Sequence, residues 1–163
     1  MIGILAAAAV AASCSVPVQG EMRTFADCVR SDASGAPRMA PHLLARVSRD
    51  AAGLGQVHSG GAWWYVDRTG RMVKVVAFDN GPDPFMDGLA RAYDGRRIGF
   101  VDRRLRFAFA QRFDGALPFQ GGHARVCTGC RLERHGEHGG YVGGRWSCID
   151  RRGRVVKAGC RAY

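Results

Sequence analysis

From residue 53 to residue 156, short runs of large apolar residues alternate with clusters of Gly, Asp and Arg, and the apolar side chains recur with a period of two. The runs AWWYV (62–66), RIGFV (97–101) and RWSCI (145–149) each stop at an Asp. That Asp opens D-R-T-G (67–70), D-R-R-L (102–105) or D-R-R-G (150–153). Asp at the first turn position and Gly at the fourth suit a type I turn that closes a hairpin with a bulge. Leu105 stands where the other two copies have Gly, so the middle turn is expected to be strained or reshaped.

Three segments align on these turns: 53–87, 88–121 and 122–163. Asp67 and Asp102 are 35 residues apart, Asp102 and Asp150 are 48 apart, and the 13 extra residues fall in the insertion 128–142. Each unit predicts three short strands. The second strand carries Trp63 and Tyr65, Ile98 and Phe100, or Trp146 and Cys148 on one face, and the third strands are Met72–Val76, Phe107–Ala110 and Val155–Lys157. Apolar residues on both faces of the second strand imply burial on both sides, so one meander must pack on the next. The predicted class is all-β: tandem three-stranded antiparallel meanders, with the Phe-tipped linkers FDNGPDPF (78–85) and FDGALPF (113–119) plugging between units.

The residues G-L-A-R-A-Y (88–93), G-F-V-D (99–102) and Trp146 with S-C-I-D (147–150) resemble the WG repeats of bacterial proteins. In that pattern G-L-A and a short turn precede W-G-[YF]-I-D and a Gly turn. The resemblance covers about 53–160. Trp64 and Ser147 replace the motif's Gly, Ile98 its Trp, and His123 its Leu. It implies an all-β repeat architecture used for binding or scaffolding, and no agreed catalytic activity.

Ahead of the repeats, 21–52 reads as a segment with a short helix in PHLLARV (41–47), where Leu43, Leu44 and Val47 would pack on the first repeat. Residues 1–20 read as an export signal, because IGILAAAAVAA (2–12) is uncharged and small residues follow it. No Lys or Arg precedes the apolar run, which a start upstream of Met1 would explain. AASC (11–14) resembles a lipobox with Cys14 as the lipidated residue, and cleavage after Ser13 or Gly20 by the general signal peptidase is the competing expectation.

Six Cys in a short exported chain suggest disulfides. Losing or lipidating Cys14 would leave one of the other five unpaired. Cys28 and Cys160 are candidates to tie the ends together, and Cys148 is expected as a buried thiol. The chain of 163 residues has 24 Lys plus Arg against 14 Asp plus Glu, a formal net charge of +10. Only Lys74 and Lys157 are lysines, so a GC-rich genome would account for part of this basicity. A charge this high attracts polyanions. No aromatic-interleaved nucleic-acid motif is present, so the expected partner is an envelope protein or an anionic polymer, with membrane attachment only through a lipid on Cys14.

The insertion opens as CTGCRLERHGEH (127–138). Cys127, Cys130, His135 and His138 have the donor chemistry of a zinc site, and C-x-x-C is also the spacing of a redox pair. Against zinc, Gly139 and Gly140 surround the place where a zinc knuckle has its fourth ligand; against redox, the pair follows a strand. A disulfide stapling an inserted loop is the preferred reading, and per-repeat insertions tend to form the binding face. Asp79, Asp83 and Asp87 do not fit a calcium loop and read as solvated linker carboxylates. G-x-S-x-G, P-loop and H-E-x-x-H signatures are missing, and the chain reads as a non-enzyme. Arg68, Arg103, Arg104, Arg151 and Arg152 occupy equivalent turns and are the candidate binding residues, as a basic edge.

Overall fold

The computed structural model describes residues 12–135 and 138–160, and the side chains of His135 and His138 fall outside the description. The apolar stretch 2–11 of the expected export signal also lies outside the described residues. The protein is nearly all β, and its strands pair antiparallel. It divides into two compact units, 1–73 and 74–163. The boundary falls inside the first aligned repeat, whereas the sequence groups 53–163 as one domain.

In the first unit the strand order is β3-β2-β1-β4-β5, formed by β1 (Ala12–Val18), β2 (Glu21–Ser31), β3 (Pro37–Met39), β4 (Gly55–Ser59) and β5 (Ala62–Val66). Cys14 and Val16 alternate inward from β1 and join Cys28, Leu43, Val47, Val57, Val66 and Met72 in one core, against which Trp64 packs. Residues 12–39 form a β-meander, so strands that the sequence analysis did not place precede the expected short helix. These strands are not visible in the sequence for a physical reason. β2 is mostly exposed, and Asp27 adopts φ 53°, so no apolar alternation survives along it. The helix is α1 (Pro41–Leu44), a single turn with Pro at its start that buries Leu43. A turn this short is held by packing, because helix nucleation alone is unfavourable.

In the second unit Val75 of β6 (Met72–Val75) pairs with Ala92 of β9 (Ala90–Asp94), and β9 pairs with β10 (Arg97–Val101). A small hairpin, β7 (Ala77–Phe78) and β8 (Gly81–Pro82), lies between β6 and β9 in the chain. A second sheet has the order β11-β12-β13-β14, from β11 (Gly115–Ala116), β12 (His123–His135), β13 (His138–Asp150) and β14 (Val155–Val156). Ile98 and Phe100 meet Phe113, Phe119, Val126 and Ile149 in the core, and the Phe100 and Phe119 rings pack edge-on at 4.7 Å. Of the expected Phe plugs, Phe113 and Phe119 are buried, Phe85 is half-buried and Phe78 is exposed. Trp63 and Trp146 are also half-buried, while Tyr65, Ile98 and Phe100 are buried.

The predicted third strand 107–110 is reduced to a bridge from Phe107 to Val101. Ile98 instead bonds Phe113 in both directions, so 109–112 bow outward while Phe109 packs on Phe100. Leu105 takes the turn's fourth position at φ 57°, with its side chain fully buried. Its turn keeps the same hydrogen bonds as the Gly turns, because burial of the side chain offsets the left-handed backbone.

Candidate functional site

One turn geometry sets the basic surface. In the turns opened by Asp67, Asp102 and Asp150, the carboxylate Oδ1 accepts from the backbone N–H groups two and four residues on, at 2.8–3.1 Å. Asp32 and Asp50 open the same turn, which the sequence reading missed because no Arg follows them. Each Asp thus spends its charge inside the loop, and the two residues after it project outward. Hydrogen bonds from Arg154 and from the Arg152 and Arg154 backbone hold the Asp150 carboxyl down at about 2.

Arg68, Arg103, Arg104, Arg151 and Arg152 are all exposed in these turns. Arg68 belongs to the first unit and lies on Gly53, where a Cβ would come within 2.6 Å of its Nε. In the second unit Arg103 stacks over Phe85 at 4.6 Å, and Arg151 lies along Gly88. These contacts anchor the side chains while the guanidinium groups stay at the surface.

The CTGC stretch lies within β12. Three residues of extended strand span roughly 10 Å, yet the Cα atoms of Cys127 and Cys130 are 5.9 Å apart and their sulfurs are bonded. The chain bends at Gly129, φ 75°, whose N–H donates to Asp114 Oδ2 at 2.6 Å, while Asp114 N–H donates to Cys127 O. Both sulfurs are buried, with Gly115 against Cys127 Sγ and the Tyr141 ring. Asp114 is a positioning residue that the sequence reading missed, its sole signal being the D-G step in the 113–119 linker.

The insertion is a regular two-stranded arm, Cys130–His135 paired with His138–Gly143, rather than the expected loop. Disulfide-bonded Cys127 and Cys130 have no thiolate to give a metal. His135 and His138 pair in register at the end of the arm. Among the described residues no group of three or more His, Cys, Asp or Glu is placed to hold a metal ion.

The remaining bonds are Cys14–Cys28 and Cys148–Cys160. They correct three expectations. Cys28 does not reach Cys160. Cys148 is no free thiol, because the tail after β14 folds back to it. Cys14, buried in β1, has its sulfur in the bond to Cys28 and none left for a lipid. Each of these two bonds closes a loop worth about 3 kcal/mol in restricted unfolded-state entropy. All six Cys are paired, which fits an oxidising, exported location. No helix among the described residues is long and apolar enough to cross a membrane.

The linker carboxylates are also not alike. Asp79 and Asp87 are exposed, and Asp87 accepts from Gly122 N–H. Asp83 is 1% exposed and ion-paired to buried Arg91, whose Nη1 donates to Ala116 O. That pair ties the 78–85 linker to β9 and corrects the solvated reading of Asp83. The charge was visible as Arg91 inside the apolar run L-A-R-A-Y, but its partner is eight residues away. Burial pushes the neighbouring Tyr141 hydroxyl above its usual range.

Compared with known proteins, the chain matches no family model, no curated protein and no solved structure.

Proposed function

We propose that this protein is an exported, non-catalytic binding module of the bacterial envelope, built from WG-like repeats, and that its second unit takes an anionic partner through the arginine-bearing turns. The repeat reading draws support from the recurrence of hairpin, Asp turn and following strand at 12–39, 55–75 and 123–156. Hairpin and Asp turn recur at 90–105 with a bridge in place of the last strand.

The observation that carries the binding reading is the distribution of charge. Residues 74–163 hold 17 Lys and Arg against 9 Asp and Glu, while 1–73 hold 7 against 5. Most of those nine acids are already engaged. Asp83, Asp94, Asp114, Glu133 and Asp150 pair with Arg, Asp87 accepts from a backbone N–H, and Asp102 from two. Arg104, Arg151 and Arg152 are exposed in these turns, Arg103 stacks beside them on Phe85, and such a field attracts polyanions in a salt-sensitive way. The partner is an anionic polymer or the acidic face of an envelope protein. For export, cleavage after Gly20 would remove β1 from the first core and break Cys14–Cys28, so the mature chain begins at or before Cys14.

The test is binding of the oxidised protein to long-chain polyphosphate at fixed salt. The double variant Arg104→Glu, Arg152→Glu should lose most of the affinity, while Arg23→Glu, Arg46→Glu in the first unit should keep it. Equal losses, or none, would overturn the proposal.

A further inference from the structure

A cleft of about 210 Å³ opens in the second unit on the face of β12 that points away from the core. Ala124 and Val126 point inward, so His123 and Arg125 share the outer face, and both line the cleft with Leu117, Gln120, Gly159 and Cys160. At ~30 Å³ per water this is roughly seven water volumes, room for a small molecule.

Two features show that the walls are held in place. The tail wall is tied down by Cys148–Cys160, and Cys148 is the register partner of Arg125. His123 Nδ1 donates to Gly121 O at 3.0 Å, and the far end of its ring lies against Gly159, where a Cβ would come within 2.6 Å of Nε2. With φ 116° as well, position 159 admits only a residue without a side chain if the tail is to close on the ring.

Arg125 differs from the ion-paired arginines of its unit. Arg91, Arg97, Arg112 and Arg154 each have an Asp partner. The Arg125 guanidinium lies over the Trp146 ring at 5.0 Å, and among the described residues it has no carboxylate partner. The ring orients the charge without neutralising it.

We propose that this cleft is a binding site for a small molecule carrying a carboxylate or phosphate group. Arg125 holds the oxyanion, and Leu117 with the His123 ring packs a short apolar body. An oriented guanidinium favours either oxyanion through charge-assisted hydrogen bonds. The site is separate from the turn arginines and stands or falls without them.

The experiment titrates the folded, oxidised protein with inorganic phosphate and, separately, with butyrate at constant ionic strength, following amide and Arg Nε–H resonances. The expected result is saturable shifts with at least one probe, confined to 117–125 and 158–160. Binding should be about tenfold or more weaker in Arg125→Gln and partly restored in Arg125→Lys. Arg104→Glu, Arg152→Glu should leave the shifts in place even if polyphosphate binding is lost. If Arg125→Gln fails to fold, Gly159→Val decides, since it pushes the tail off His123 without touching Arg125 and should abolish binding. Non-saturating shifts with both probes, or saturable binding that survives Arg125→Gln or Gly159→Val, overturns the proposal.

Discussion

Gly129 and Gly144 face each other across the β12–β13 hairpin, both in the left-handed region at φ 75° and 70°, and together they bend the ribbon at the Cys127–Cys130 bond. A Cβ on Gly144 would lie 2.4 Å from Cys130 N and 2.7 Å from Thr128 O, both backbone atoms that cannot swing aside. Gly143 has a similar φ of 69° but open space around it. Gly143→Ala should therefore cost only the backbone term, about 1 kcal/mol, and Gly144→Ala about 2–3 kcal/mol or more. Urea unfolding of the oxidised variants measures both, and equal costs would mean that the bend is not tight.

The buried pair behind the 78–85 linker makes a second contrast. Asp83→Ala leaves Arg91 buried with its charge uncompensated, at a cost of about 3–5 kcal/mol. Asp79→Ala, at an exposed position directly after β7 with φ 44°, loses only the left-handed tolerance of Asp and should cost about 1 kcal/mol or less. Chemical denaturation of the two variants checks this. A small loss at Asp83 would return that residue to the ordinary surface carboxylates.

Asp150 gives a pH signature. Its carboxyl is depressed from 3.8 to about 2 in the folded state, first by its hydrogen bond with the Arg154 side chain. A depressed folded-state value means that the contribution is present above pH 3.8 and is lost as the pH falls toward 2. Asp150→Asn should flatten that part of the acid-unfolding curve and leave the neutral-pH shape unchanged. A variant curve parallel to the wild type between pH 4 and 2 would show that the turn is not formed.

How much of this was legible in the sequence follows from where each contact is made. The hairpins of 55–66 and 90–101 are local, and their Asp turns sit in the same few residues, so alternation and turn chemistry located them. β2 was hidden because its side chains are mostly exposed and its bulge at Asp27 breaks the period of two. The arm was hidden because Gly139, Gly140, Gly143 and Gly144 read as loop, although the hairpin runs unbroken through three of their register partners. The Cys127–Cys130 bond was accessible from spacing. Cys14–Cys28 and Cys148–Cys160 were not, since each depends on a strand assignment made wrongly or left unmade. Of the candidate site, the turn arginines could be placed from the repeat, but the cleft at Arg125 depends on a tail position that only the fold supplies.

The central claim is that the arginine turns of the second unit bind an anionic partner. The most direct measurement is the salt dependence of polyphosphate binding by the intact, oxidised protein. The account predicts that log K falls linearly with log salt, with a shallower slope in Arg104→Glu, Arg152→Glu. Affinity independent of salt, or a slope unchanged by the two substitutions, would contradict it.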